Sequence, residues 1–100
     1  MGCGATGGGN SLEGVDVAKE SIIQGVVVGG DRRPVGGAYV RLLDRTGEFT
    51  AEVPTSATGQ FRFFAAPGDW TLRTLAPRSA PVDRVVAASQ GDIAEVLITV

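Results

Sequence analysis

From Ile22 onward, short stretches rich in valine, leucine and phenylalanine alternate with clusters of glycine, proline, aspartate and serine. No stretch carries the period of a helix. The clearest segment is Glu48–Val53, where Phe49, Ala51 and Val53 fall on one face and Glu48, Thr50 and Glu52 on the other. That period of two marks a half-buried strand. The pattern predicts seven strands: Ile22–Val28, Ala38–Leu43, Glu48–Val53, Gln60–Ala66, Trp70–Leu75, Val82–Ala88 and Ile93–Val100. Short strands at this spacing predict an all-β, seven-stranded antiparallel sandwich. Its expected core is Ile23, Val27, Val40, Leu42, Phe49, Phe61, Phe63, Trp70, Leu72, Val86, Val96 and Ile98.

The punctuation between strands follows turn chemistry. Asp44-Arg45-Thr46-Gly47 places aspartate first and glycine fourth, the signature of a type I turn that closes a hairpin. Pro67-Gly68-Asp69 separates Phe61–Phe64 from Trp70–Arg73. Proline presets the dihedral of the second turn position and glycine supplies a positive φ at the third, so a second hairpin is expected here. Ala76–Pro81 reads as a loop, because proline cannot donate to a ladder. Ahead of the strands, Met1–Asn10 is mostly glycine and small residues with nothing to bury. Ser11–Ser21 mixes Leu12, Val15 and Val17 with Glu13, Asp16 and Glu20. The organisation expected is a flexible glycine-rich tail and lead-in over residues 1–20 and one sandwich domain over 21–100.

Composition supports one globular domain. The chain has 100 residues, 43% hydrophobic and 20% charged, enough for a core without metals or disulfide staples. A net charge of -2 provides no electrostatic footprint for nucleic acid. Lys19 is the single lysine among nine basic residues, and with abundant Ala, Gly and Val this usage points to a high-GC, bacterial coding sequence. The chain has no histidine and one cysteine, Cys3. A structural zinc site, a Ser-His-Asp arrangement and a Cys-His pair therefore cannot be assembled, and no cofactor is expected. An intramolecular disulfide is excluded, which fits a reducing cytoplasm. No segment reaches the length of a membrane span, and no secretory signal opens the chain. Met1-Gly2-Cys3-Gly4-Ala5-Thr6 has the glycine and threonine of a myristoylation signal, a chance match in a bacterial chain. Gly29-Gly30-Asp31 and Gly7-Gly8-Gly9 lack the pattern of a phosphate loop.

Two resemblances add to this. The spacing Gly25-x-Val27, Pro34-Val35-x-Gly37-Ala38-x-Val40-x-Leu42, Thr58-Gly59-x-Phe61-x-Phe63 and Pro67-Gly68-x-Trp70-x-Leu72 resembles carboxypeptidase regulatory-like domains. The resemblance implies a Greek-key β-sandwich of the transthyretin/prealbumin type, a fold that hosts binding, structural and accessory roles alike. Arg41-Leu42-Leu43-Asp44, Gly47–Val53 and Ser56–Ala66 further resemble the SseC-like family of small actinobacterial proteins, over about the last four-fifths of the chain. Members are often encoded beside rhodanese-type thiosulfate sulfurtransferases. The resemblance thus implies a non-enzymatic accessory of cytoplasmic sulfur-transfer metabolism with such an enzyme as partner. Members carry a cysteine directly after the initiator methionine; here Gly2 intervenes before Cys3.

Two candidate sites follow. Cys3 is the one thiol, with no Lys, Arg or His in the first ten residues to raise its thiolate fraction. As a sulfur acceptor it would need a partner's active site to supply the electrostatics. Arg41, Arg62 and Arg73 alternate with core positions and should point outward, facing Glu48 and Glu52 if their strands are neighbours. Tyr39, Leu43 and Phe64 share the outward parity. Arginines beside aromatic and aliphatic side chains are what interfaces prefer. The alternatives are a small ligand- or carbohydrate-binding module, with Tyr39 and Phe64 lining a groove, and a protein that assembles through its sheet face.

Overall fold

A computed structural model describes residues 21–100; the expected glycine-rich tail, the lead-in and Cys3 lie outside the described residues. The seven strands are β1 (Ser21–Val28), β2 (Tyr39–Leu43), β3 (Phe49–Pro54), β4 (Gln60–Ala65), β5 (Gly68–Leu75), β6 (Val82–Ala88) and β7 (Ile93–Thr99). Each expected strand is present, with ends shifted by at most two residues. They form a three-stranded sheet in the order β4-β1-β7 and a four-stranded sheet in the order β3-β2-β5-β6. The hairpins β2–β3 and β5–β6 stay within the four-stranded sheet, and every other connection crosses to the opposite layer, as in a Greek-key sandwich. No helix among the described residues is long and apolar enough to cross a membrane.

One pair departs from the antiparallel expectation. β7 runs parallel to β1, with Ile22 opposite Ile93 and Val27 opposite Ile98, while the other pairs are antiparallel. β7 reaches β1 from the opposite sheet by a crossover, so no tight turn dictates its direction. Close approach at this seam explains Gly25. A Cβ there would lie 1.9 Å from the Val96 carbonyl oxygen and 2.9 Å from the Phe61 ring. Only a residue without a side chain fits.

The core forms between the two layers. Ile23, Val27, Val40, Leu42, Phe61, Phe63, Leu72 and Ile98 are fully buried as expected, and the Phe61 and Phe63 rings pack tilted at 6.1 Å. Trp70, Val86 and Val96 are half-buried at the rim of this cluster. Trp70 Nε1 donates to the Ala66 carbonyl at 2.9 Å, which satisfies the indole where it meets solvent. Phe49 is a correction: it is exposed. A register shift between Leu42 and Leu43 makes Thr50 an extra residue, so Phe49 lies opposite Leu43 on the outer face while Ala51 and Val53 keep the inner one.

The two turns come out differently. At Asp44–Gly47 the hairpin forms, with the Gly47 N–H donating to the Asp44 carbonyl at 2.9 Å. Pro67-Gly68 does not close a hairpin. β4 and β5 belong to different sheets, and Gly68 has φ 138°, far from the value a type II turn needs. Phe61 and Phe63 bury from one layer and Leu72 from the other. The segment is thus a crossover that places both strands' apolar faces against each other. Elsewhere, Thr55 ties the end of β3 to the loop before β2: its hydroxyl accepts from the Ala38 N–H at 3.0 Å and donates to the Val35 carbonyl at 2.7 Å.

Candidate functional site

Pleating sends every second side chain outward, so each sheet has one outer face. On the four-stranded sheet the registers align Glu52, Arg41, Arg73 and Asp83 in a single row across β3, β2, β5 and β6. The charges run minus, plus, plus, minus. Arg41 Nε donates to Glu52 Oε1 at 2.7 Å, and Arg73 donates through Nε and Nη2 to the two carboxylate oxygens of Asp83 at 2.9 and 3.0 Å. The second is a two-pronged contact, the stronger geometry for this pair. The Arg73 hydrogen bond holds the Asp83 carboxyl below its ordinary range, and the same bond raises Arg73.

Apolar side chains flank the row. Tyr39 is 49% exposed on one side, and Phe49 and Val85 are 60% and 76% exposed on the other. The Arg41 guanidinium lies 6.0 Å from the centre of the Phe49 ring, within the range of a cation–π contact. Leu43 keeps its outward parity but is buried, set between Phe49 and Thr71 on the neighbouring strands.

The expected arginine stripe is therefore split. Tyr39, Arg41 and Arg73 come together on the four-stranded sheet, and Glu52 is the partner of Arg41. Arg62 and Phe64 lie on β4, in the other layer, because β4 pairs with β1 and not with β2 or β5. Glu48 makes no ion pair among the described residues. Phe64 is buried, so it cannot line a groove with Tyr39, and the carbohydrate reading loses its pair of aromatics. Phe49, Asp83 and Val85 complete the face and were not anticipated. Asp83 and Val85 alternate with the inward Val82 and Val86 and were legible from parity; Phe49 was not, because its face depends on the bulge.

The outer face of the three-stranded sheet has three rows: Phe64–Ile22–Ile93, Arg62–Gln24–Glu95 and Gln60–Val26–Leu97. Arg62 Nε donates to Gln24 Oε1 at 2.9 Å. A groove of about 200 Å³ follows the middle row, and another of about 260 Å³ runs between Asp44-Arg45 and Pro67–Trp70. Both fall short of the ~300–1,000 Å³ that usually encloses a small ligand. Among the described residues no three His, Cys, Asp or Glu converge as a metal site requires.

A family model described as "Protein of unknown function (DUF1416)" matches residues 3–100. Two uncharacterized proteins of Mycobacterium tuberculosis, Rv0814c and Rv3118, are each 60% identical over 82 residues, covering 82% of this chain and 81% of theirs. An uncharacterized protein of Mycolicibacterium smegmatis is 59% identical over 78 residues, covering 78% of this chain and 84% of its own. Among solved structures, the major pilin subunit BcpA of Bacillus cereus superposes with a TM-score of 0.70 at 17% identity, over 81% of this chain and 28% of the pilin. The dioxygenase domain of a dioxygenase carbohydrate-binding protein fusion from Streptomyces sp. SirexAA-E gives 0.62 at 15% identity, over 95% and 88%. At such identities these likenesses are of fold alone.

Proposed function

The chain belongs to the DUF1416 family of proteins of unknown function, and we propose that it acts without catalysis, as a docking module that presents the outer face of its four-stranded sheet to a protein partner. The observation that carries this is the row Glu52–Arg41–Arg73–Asp83 with Tyr39, Phe49 and Val85 exposed beside it. Aromatic and aliphatic side chains provide the area that desolvates on contact, and arginines are enriched in interfaces of this kind. Because both arginines are already paired, the charge row would orient a partner and speed its encounter more than it would add affinity. The grooves are too small and open to enclose a ligand, which favours a protein over a small molecule.

The partner we infer is a rhodanese-type sulfurtransferase, an inference that rests on the SseC-like resemblance of Arg41–Asp44, Gly47–Val53 and Ser56–Ala66. Cys3 extends the same reading. Its thiolate would attack the outer sulfur of the enzyme's cysteine persulfide, forming a new S–S bond as the enzyme's thiolate leaves. One sulfur atom moves and no net oxidation occurs. Biosensor binding of the purified protein to the sulfurtransferase tests the docking. Saturable binding that Tyr39→Ser/Phe49→Ser weakens supports it, and no binding up to roughly 100 μM, a generous limit for a transient contact, overturns it. Intact mass after incubation with enzyme and thiosulfate should then rise by one sulfur in wild type and not in Cys3→Ser.

A further inference from the structure

The outer face of the three-stranded sheet is unevenly exposed. Ile22 and Phe64, opposite each other on β1 and β4, point away from the core and are absent from its cluster, yet are 1% and 8% exposed. On the same face Ile93 is 44% and Leu97 58% exposed. No described strand packs over this side, since all seven belong to the two layers. Shielding is strongest at the end of the sheet where β1 begins, which is where Glu20 joins Ser21, and it fades toward the far end at Leu97.

We propose that residues Ser11–Glu20 of this same chain cover that end of the face, with Leu12, Val15 and Val17 seated on Ile22, Phe64 and the near side of Ile93. Three features favour this occupant. Its point of attachment is one residue from Ile22, so its local concentration at the patch is high without any partner. Ten residues can reach about 33 Å, and a three-stranded sheet is only about 10 Å across between outer strands, so reach is ample. Charge is complementary as well. The segment carries Glu13, Asp16 and Glu20 against Lys19. Half-buried Arg62, one row from Phe64, has among the described residues the neutral Gln24 as side-chain partner and no carboxylate. The matched family unit begins at residue 3, so the segment lies inside it. The face left for an outside partner is then that of the four-stranded sheet.

The test uses the full chain with isotope-labelled methyl groups. Nuclear Overhauser contacts from the Phe64 ring and Ile22 methyls to Leu12, Val15 or Val17, unchanged on dilution, are the expected result. Absence of those contacts overturns the proposal. So do contacts seen only between differently labelled molecules, because a second copy would then be the cover. A second measurement is the unfolding temperature of Leu12→Ser/Val15→Ser/Val17→Ser. It should fall by several degrees with cooperativity retained, and an unchanged temperature also overturns the proposal.

Discussion

At Gly25 a single methyl group would meet backbone on one side and an aromatic ring on the other. The Val96 carbonyl belongs to the parallel neighbour β7 and cannot swing away like a flexible side chain. Gly25→Ala should therefore cost at least ~2–3 kcal/mol, the upper range for overpacking, read as a shift of the denaturant midpoint at unchanged slope. Charge at the turns makes a second residue-scale prediction. Asp44 Oδ1 accepts from the Thr46 hydroxyl at 2.6 Å and from the Thr46 and Glu48 N–H groups at 2.9 and 3.0 Å. These bonds, the Thr46 hydroxyl first, favour the carboxylate and lower its pKa from the ordinary 3.8. Asp83 shifts the same way through Arg73. A folded value below the unfolded one means stability is present above the unfolded value and is lost as pH falls through the folded value. The unfolding temperature should thus hold at mildly acid pH and drop below about pH 4. Asp44→Asn/Asp83→Asn, which removes both titrations, should flatten that drop.

At the scale of the elements, Trp70 marks where turn grammar and packing part. Half-buried beside the Pro67-Gly68 crossover, it closes the rim of the core instead of filling its centre. Trp70→Ala should cost about 2–3 kcal/mol, below the ~3–5 kcal/mol of a fully buried tryptophan. Trp70→Phe should cost about 1 kcal/mol, mostly the lost bond to Ala66. A midpoint near wild type for the alanine variant would mean that the rim contacts contribute little. The seven strands and eight of the twelve expected core positions were legible because period-two burial is written in neighbouring residues. Features set by distant residues were not. Whether Pro67-Gly68 folds back or crosses depends on which layer Leu72 must face, and the outward turn of Phe49 depends on a bulge opposite Leu43. For the candidate site the same limit applies: parity placed Tyr39, Arg41 and Arg73 outward. Only strand order reveals that Arg62 points to the opposite side of the molecule.

For the whole molecule, the sandwich separates two outer surfaces with different chemistry. One is a paired charge row between exposed Tyr39, Phe49 and Val85; the other grades from shielded Ile22 and Phe64 to open Leu97. The ion pairs on the first are exposed, so each should contribute no more than about 1 kcal/mol to folding. Aromatic side chains left in solvent likewise add little to the fold. Stability and docking can consequently be varied independently, which makes the faces separable by experiment. Tyr39→Ser/Phe49→Ser on the four-stranded sheet and Glu95→Lys/Leu97→Ser on the three-stranded sheet should both unfold within a few degrees of wild type. If the partner docks as proposed, the first pair should weaken binding by tenfold or more, the scale of losing buried aromatic anchors, and the second should leave it unchanged. Added salt should slow association to wild type with little effect on dissociation, because the charge row steers while the apolar flanks hold. Equal loss from both pairs would mean that contact is not confined to one face, and loss from the second pair alone would move the docking surface to the sheet built on β1.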